Sequence, residues 1–298
     1  MEDIRFDGRV IVISGAARGL GRTYALEIAR RGGAIVVNDL GAATDGSKAA
    51  AESVVQEIGS LGGRAVADYN NVASEGGGGA VIQTAMNAFG RVDVVINNAG
   101  ILRDVSLMKM TAVQFESVLD VHLRGSFYLS KPAFAIMKTQ GYGRFVFTTS
   151  AAGLFGNFGQ ANYAAAKMGL VGLSNIFAIE GLKSNIKSNV IAPGAKTRMT
   201  AGMGPLMDSM PPECVAPMVA YLASEQCQET QNIYSAGAGR FARVFVGATA
   251  GWAKGLSVAP SVEEIAAHMD SINSLDDFIV PRNINDEGAL LQQALKKG

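Results

Sequence analysis

Val10-Ile11-Val12-Ile13-Ser14-Gly15-Ala16-Ala17-Arg18-Gly19-Leu20-Gly21 reads as a strand, a glycine turn and the start of a helix. Four β-branched apolar residues stop at a serine and a glycine. A helical pattern then runs from 19 to 30, with Leu20, Tyr24, Ala25 and Ile28 available to one face. Glycine permits positive φ and lets a backbone approach a ligand closely. The helix start beyond the turn offers unpaired N–H groups and a positive dipole end to a pyrophosphate. The spacing of Gly15, Gly19 and Gly21 is G-x-x-x-G-x-G, not the commoner G-x-G-x-x-G. Its place between an apolar strand and a helix separates it from an ordinary tight turn.

Along the rest of the chain, strand and helix patterns alternate. Strands are expected at 34–37, 64–67, 92–96, 144–148 and 188–191, with helices at 47–58, 111–131 and 160–182. Alternation of this kind implies right-handed βαβ units and a parallel sheet, whose strands are apolar on both faces. The fold class is α/β: one Rossmann-type, doubly wound parallel sheet with helices on both faces, plus a C-terminal extension. Residues 1–255 form the dinucleotide-binding and catalytic domain and 256–298 the extension. Gly76-Gly77-Gly78-Gly79 is expected to be a surface loop, since each glycine weakens a helix by about 1 kcal/mol relative to alanine.

The composition sets limits. A chain of 298 residues that is 48% hydrophobic can bury one substantial core. Its 26 basic and 26 acidic side chains balance, so nothing steers it toward nucleic acid or an anionic membrane. Cys214 and Cys227 form neither a metal-spaced set nor a disulfide framework, and no metal site is expected. The first residues lack the apolar stretch of a signal peptide and the last are not an SKL-type address. No run approaches the roughly 18 apolar residues of a membrane span. The cytoplasm is the expected compartment.

Chemistry concentrates in four further pieces. Asp39 ends the second strand, where a carboxylate accepts both ribose hydroxyls and repels a 2′-phosphate; NAD is therefore favoured over NADP. Arg18 argues the other way, since a guanidinium in the glycine turn suits that phosphate. Tyr163 and Lys167 stand four apart and share a helix face. A free tyrosine has a pKa near ~10 and is a poor base at neutral pH; a nearby ammonium favours the phenolate. Lys167 can also hydrogen-bond a nicotinamide ribose. Ser150 follows the fifth strand and can orient a substrate oxygen.

The segments 14–21, 97–100 (Asn97-Asn98-Ala99-Gly100), 148–150 and 163–167 resemble the short-chain dehydrogenase/reductase family in order, spacing and strand context, over residues 1 to about 250. Arg5-Phe6-Asp7-Gly8-Arg9, Val37-Asn38-Asp39-Leu40-Gly41 and the segments 98–104, 121–127, 156–163 and 178–181 are similar to its (3R)-hydroxyacyl-CoA dehydrogenase branch, found in peroxisomal multifunctional enzymes of type 2. The resemblance implies an NAD-dependent oxidoreductase that interconverts a secondary alcohol and a ketone, with a (3R)-3-hydroxyacyl-CoA as substrate. A 17β-hydroxysteroid or a 3-oxoacyl group is the alternative. It implies that Ser150 stabilises the substrate oxygen, Tyr163 is the acid/base and Lys167 lowers its pKa. Asn98, Ala99 and Gly100 would line the cofactor cleft, and Pro193, Gly194 and Thr197 would cover the nicotinamide side. A non-catalytic cofactor-binding protein is disfavoured, because the serine, tyrosine and lysine are all present.

The chain departs from the pattern in places. His122 stands where the family at large has an asparagine, and is read as a buried structural residue. Asn71-Val72 replaces an aspartate-valine pair that contacts adenine, and is kept as a contact. The 298 residues do not include hydratase or carrier domains, so those activities are expected from another chain. Leu154 to Phe158 should line a substrate wall. Met199, Met203, Met207 and Met210, with Gly202 and Gly204, suit a mobile lid over an apolar group. The tail has helical patterns at 262–269 and 287–297, and is expected to pack on its own domain or on a neighbouring subunit. The helices at 111–131 and 160–182 are expected to build a homodimer or homotetramer, since Ala161, Ala164, Ala165, Gly169 and Gly172 permit close approach of a partner helix.

Overall fold

The computed structural model describes residues 3–41, 49–200, 202, 204–255 and 258–297. Its first half runs β1 (Val10–Ser14), α1 (Gly19–Arg30), β2 (Ala34–Asn38), α2 (Ala49–Ser60), β3 (Arg64–Asp68), α3 (Glu75–Phe89) and β4 (Val94–Asn97). The second half runs α4 (Ala112–Leu119), a π-helical segment Asp120–Arg124, α5 (Gly125–Gln140), β5 (Gly143–Thr148), α6 (Ala151–Phe155) and α7 (Ala161–Gly181). It continues with β6 (Ile186–Gly194), α8 (Pro205–Asp208), α9 (Ala216–Ala223), β7 (Ile233–Gly237) and β8 (Arg240–Val244). The sheet order is β3-β2-β1-β4-β5-β6-β7-β8, and every pairing from β3 through β7 is parallel. This is the expected doubly wound sheet.

Every residue of β1, β2, β4 and β5 is buried, as continuous apolar runs require, while the edge strand β3 is largely half-buried. Ile11, Ile13, Tyr24, Ile28, Ile35 and Ile96 meet in one core that joins the sheet to α1. Burying each such side chain contributes about 1.5–3 kcal/mol. Because β1 pairs with β2 on one side and β4 on the other, the chain order reverses there. The crevice at that switch point, beyond the strands' carboxyl ends, is where an open α/β sheet takes ligands.

Three expectations need correction. The glycine run 76–79 lies in the first turns of α3, not in a loop. The Ser74 Oγ caps that helix by accepting from the Gly77 N–H at 3.2 Å. A Cβ at 77 would stand 1.9 Å from the Asn71 carbonyl oxygen, and one at 78 would stand 2.5 Å from the Tyr128 carbonyl carbon in α5. Close approach of α3 to α5 therefore outweighs the weak helix propensity. The helix expected at 111–131 reaches Gln140 in three pieces. Thr111 and Gln114 form a capping box, and the Gly125 N–H reaches five residues back to the Asp120 carbonyl, which widens the turn that holds His122. Finally, one helical stretch, Ala161–Ser184, is apolar enough to span a membrane by length and composition, with hydropathy 1.2. Its inner face is nevertheless part of the core and carries the buried polar Asn162, Lys167 and Ser174.

By internal contacts the chain divides into 1–243 and 244–298, whereas the sequence reading placed the boundary between 255 and 256. In the second unit β9 (Ala248–Thr249) pairs antiparallel with β10 (Phe278–Ile279), beside α10 (Val262–Ala267), α11 (Met269–Asn273) and α12 (Ile284–Lys297). Phe245 stacks on Phe278 at 5.6 Å, Trp252 stacks on His268 at 3.9 Å, and Lys254 pairs with Glu264 at 2.6 Å.

Candidate active site

A cavity of about 350 Å³ opens at the carboxyl ends of the strands. Gly15, Arg18, Gly19 and Leu20 reach it from the turn between β1 and α1, and Asp39 from the end of β2. Asn71 and Val72 come from the segment after β3, and Asn98, Ala99 and Gly100 from the one after β4. Ser150, Tyr163, Lys167, Pro193 and Thr197 complete the walls. Of the residues expected at the site, Gly21 and Gly194 alone do not line it. Gly21 sits behind the turn, where a Cβ would stand 2.2 Å from the Gly15 carbonyl oxygen. Gly194 faces Met210 and Gly237.

One wall is built from backbone. Gly15 (φ +65°) and Gly19 (φ +51°) occupy the left-handed region. Arg18 at the N-cap of α1 supplies no side-chain cap, so the first N–H groups of the helix have no such acceptor. Ser14 Oγ accepts from the Asn98 and Ala99 N–H groups at 3.0 and 3.1 Å, and Asn98 Nδ2 donates to the Ser14 and Gly15 carbonyls at 3.1 and 3.0 Å. The Asp39 carboxylate accepts from the Ala17 N–H at 3.3 Å and the Gly41 N–H at 3.1 Å, which pins it beside the turn. An uncapped helix start, glycines that leave room, and a carboxylate one strand away fit the pyrophosphate and ribose of a dinucleotide.

The other wall carries proton chemistry. Ser150 caps α6, its Oγ accepting from the Ala152 N–H at 3.2 Å, so its proton can go elsewhere. Burial raises the Tyr163 pKa above its ordinary value, the Ser150 hydrogen bond pulls it down, and the Asp104 charge raises it. Burial is the largest of these influences. Lys167 is itself pushed down to about 7 by burial, and its Nζ donates to the Thr148 carbonyl at 2.6 Å.

Sequence reasoning missed several lining residues, among them Asn38, Thr148, Val121 and Arg198. Asn38 is buried, and its Nδ2 donates to Asp68 at 2.7 Å and to the Asn70 carbonyl at 3.0 Å. A polar residue ending a fully buried parallel strand was the signal. The expected apolar wall is not where it was placed. α6 stops at Gly156 (φ +82°), leaving Phe155 and Phe158 74% and 87% exposed, outside the cavity. Met199 lines the cavity, and the Met210 carbonyl accepts from the Lys196 N–H at 2.6 Å. Met203 and the Met207 side chain lie outside the described residues.

Fold and site together define a nucleotide-dependent alcohol dehydrogenase, and the comparisons agree. A family model described as short chain dehydrogenase matches residues 9–205; the chain belongs to the short-chain dehydrogenase family and is an oxidoreductase acting on CH–OH groups. Within that family it is 48% identical over 274 residues to peroxisomal multifunctional enzyme type 2 of Drosophila melanogaster, covering 88% of this chain and 43% of that one. It is 47% identical over 272 residues to a short-chain type dehydrogenase/reductase of Mycobacterium tuberculosis, covering 90% and 94%. The solved full-length multifunctional enzyme type 2 of Drosophila melanogaster aligns with TM-score 0.84 and 38% identity, over 99% of this chain and 50% of that one. The chain thus spans half or less of the length of these multifunctional relatives.

Proposed function

We propose that the chain is an NAD-dependent dehydrogenase of (3R)-3-hydroxyacyl-CoA thioesters. The observation that carries this reading is the Ser150–Tyr163–Lys167 group facing the same cavity as Asp39 and the α1 turn. The similarity to multifunctional enzymes of type 2 supports the substrate class. Ser150 donates to the substrate oxygen and orients it. Tyr163 takes the hydroxyl proton during oxidation and returns it during reduction. Lys167 is held by the Thr148 carbonyl one helical turn from the tyrosine. NAD, when bound, supplies the hydride acceptor. Asp39 would take its adenosine ribose and repel a 2′-phosphate, and the α1 N-terminus would take its pyrophosphate.

Assembly belongs to the same reading. Ala165, Met168, Gly172, Ile176 and Ile179 form an exposed, small and apolar stripe along α7, on the side away from buried Lys167 and Leu170. A Cβ at Gly172 would meet nothing within 4 Å, whereas one at Gly169 would touch the chain's own Leu123 at 3.0 Å. A second copy laid on the stripe would form a homodimer or half of a homotetramer. A reducing, cytoplasmic compartment suits the two unpaired cysteines.

The test is a substrate panel: (3R)- and (3S)-3-hydroxyacyl-CoAs of several chain lengths and 17β-hydroxysteroids, each with NAD and NADP. The highest kcat/KM is expected for a (3R)-thioester with NAD. A preference for the (3S) series or for steroids would overturn the substrate assignment.

A further inference from the structure

Asp68 ends the edge strand β3, is 3% exposed and takes no part in the proton chemistry. Four donors converge on its two oxygens. Oδ1 accepts from Asn38 Nδ2 at 2.7 Å and from the Asn70 N–H at 3.0 Å. Oδ2 accepts from Asn70 Nδ2 at 2.8 Å and from the Thr84 hydroxyl at 2.6 Å. The Asp68 carbonyl accepts from the Asp39 N–H at 3.0 Å.

These partners belong to one wall of the cavity. Asn38, Asp39, Asn70, Asn71 and Val72 line it, whereas Asp68 does not. Asn38 Nδ2 also donates to the Asn70 carbonyl at 3.0 Å, so one cluster ties the end of β2 to the segment after β3. The helix α3 joins the cluster at two points. Thr84 brings it onto the carboxylate, and Gly77 brings its first turn against Asn71, where a Cβ would stand 1.9 Å from the carbonyl oxygen. The glycine run that weakens α3 thus lets the helix pack directly against the 70–72 segment.

All four donors are neutral groups, so the cluster is not an ion pair. A carboxylate has about four acceptor positions and no donor, and here all are engaged. An asparagine would offer a single oxygen and would set its own NH2 group against two of these donors. Losing such bonds in a buried place leaves polar groups unsatisfied and frees the side chains they held.

We propose that Asp68 is a positioning residue for the adenosine half of the cofactor: its carboxylate fixes the Asn38 and Asn70 side chains, and its carbonyl the Asp39 backbone, in the wall that takes adenine and its ribose. This rests on the reading of the cavity as a dinucleotide site.

Asp68→Asn is expected to raise the Kd for NADH, read by fluorescence, about ten-fold. The Kd for ADP-ribose, read by displacement of NADH, should rise by the same factor, since that ligand carries the adenosine half without nicotinamide. At saturating NAD, kcat should stay within about three-fold, because Ser150, Tyr163 and Lys167 stand on the other wall. Thr84 lies outside the cavity, so Thr84→Val reaches the cofactor only through Asp68. It should raise both dissociation constants about three-fold in the wild-type background and leave them unmoved in the Asp68→Asn background. Should Asp68→Asn fail to fold, Thr84→Val alone carries the test. Folded variants, checked by thermal melting, that bind NADH and ADP-ribose with wild-type affinity would overturn the proposal and leave Asp68 as a brace of the sheet edge. A loss confined to kcat would overturn it too, as would purely multiplicative effects of the two substitutions. A wild-type protein that binds neither ligand would instead refute the dinucleotide reading, and the proposal with it.

Discussion

Lys167 Nζ lies 5.5 Å from the centre of the Tyr163 ring, on the same face of α7, and donates its 2.6 Å hydrogen bond to the Thr148 carbonyl. The lysine is fully buried and its pKa is about 7, against 10.5 for the ordinary side chain. Folding therefore releases a proton between those values. The penalty on stability is fully present below pH 7 and is relieved as pH rises toward 10.5. Lys167→Met should abolish turnover yet stabilise the protein at pH 6 by about 2 kcal/mol, or roughly 4–8 °C in Tm. The gain should shrink toward pH 10. Thermal melts across pH check this; a gain independent of pH would contradict the burial argument.

The raised pKa of Tyr163 has a kinetic consequence. Oxidation uses the deprotonated tyrosine, whose fraction grows up to about ten-fold per pH unit below its pKa. Initial-rate kcat/KM for oxidation should climb from pH 7 to 9, while reduction, which uses the protonated form, should stay nearly flat. An oxidation profile without slope in that window would contradict the role given to Tyr163.

Asp39 does two things at once: it holds the Ala17 and Gly41 N–H groups and presents negative charge at the ribose end. Asp39→Asn keeps an acceptor oxygen and removes the charge, whereas Asp39→Ala also loosens the turn. The wild type should prefer NAD. Asp39→Asn should raise the NADP/NAD ratio of kcat/KM by about ten-fold, equivalent to about 1.4 kcal/mol. A wild-type preference for NADP in matched assays would show that Arg18 dominates.

The exposed stripe on α7 is open to a direct test. Ile176→Asp places a charge within it and should convert the assembly to monomers at micromolar concentration by light scattering, with activity reduced because α7 also carries Tyr163. A wild-type protein that is already monomeric and fully active would show that the stripe is not an assembly surface.

Much of this was legible in the sequence because local rules and tertiary demands coincide there. The run 10–13 is β-branched, apolar on both faces and stopped by a serine and a glycine, which marks a buried strand; Gly15 and Gly19 occupy positive φ, and the spacing of Tyr163 and Lys167 is a helical turn. What escaped depended on contacts distant in sequence. Gly78 reads as a helix breaker until the Tyr128 backbone stands against it. The π turn at Asp120–Arg124 leaves no trace in a 3.6-residue period, so His122 could not be aimed at Tyr163 from the sequence. Phe155 and Phe158 look like pocket walls until Gly156 turns the chain outward.

Tyr163→Phe removes the hydroxyl that moves the proton and leaves the ring. The measurement is kcat for oxidation of a (3R)-3-hydroxyacyl-CoA with NAD, beside the Kd for NADH. The expected result is a fall in kcat of at least 100-fold, within the roughly 100- to 10,000-fold that general acid–base groups contribute, with cofactor affinity within about three-fold of wild type. A variant that keeps more than about a tenth of wild-type kcat would contradict it.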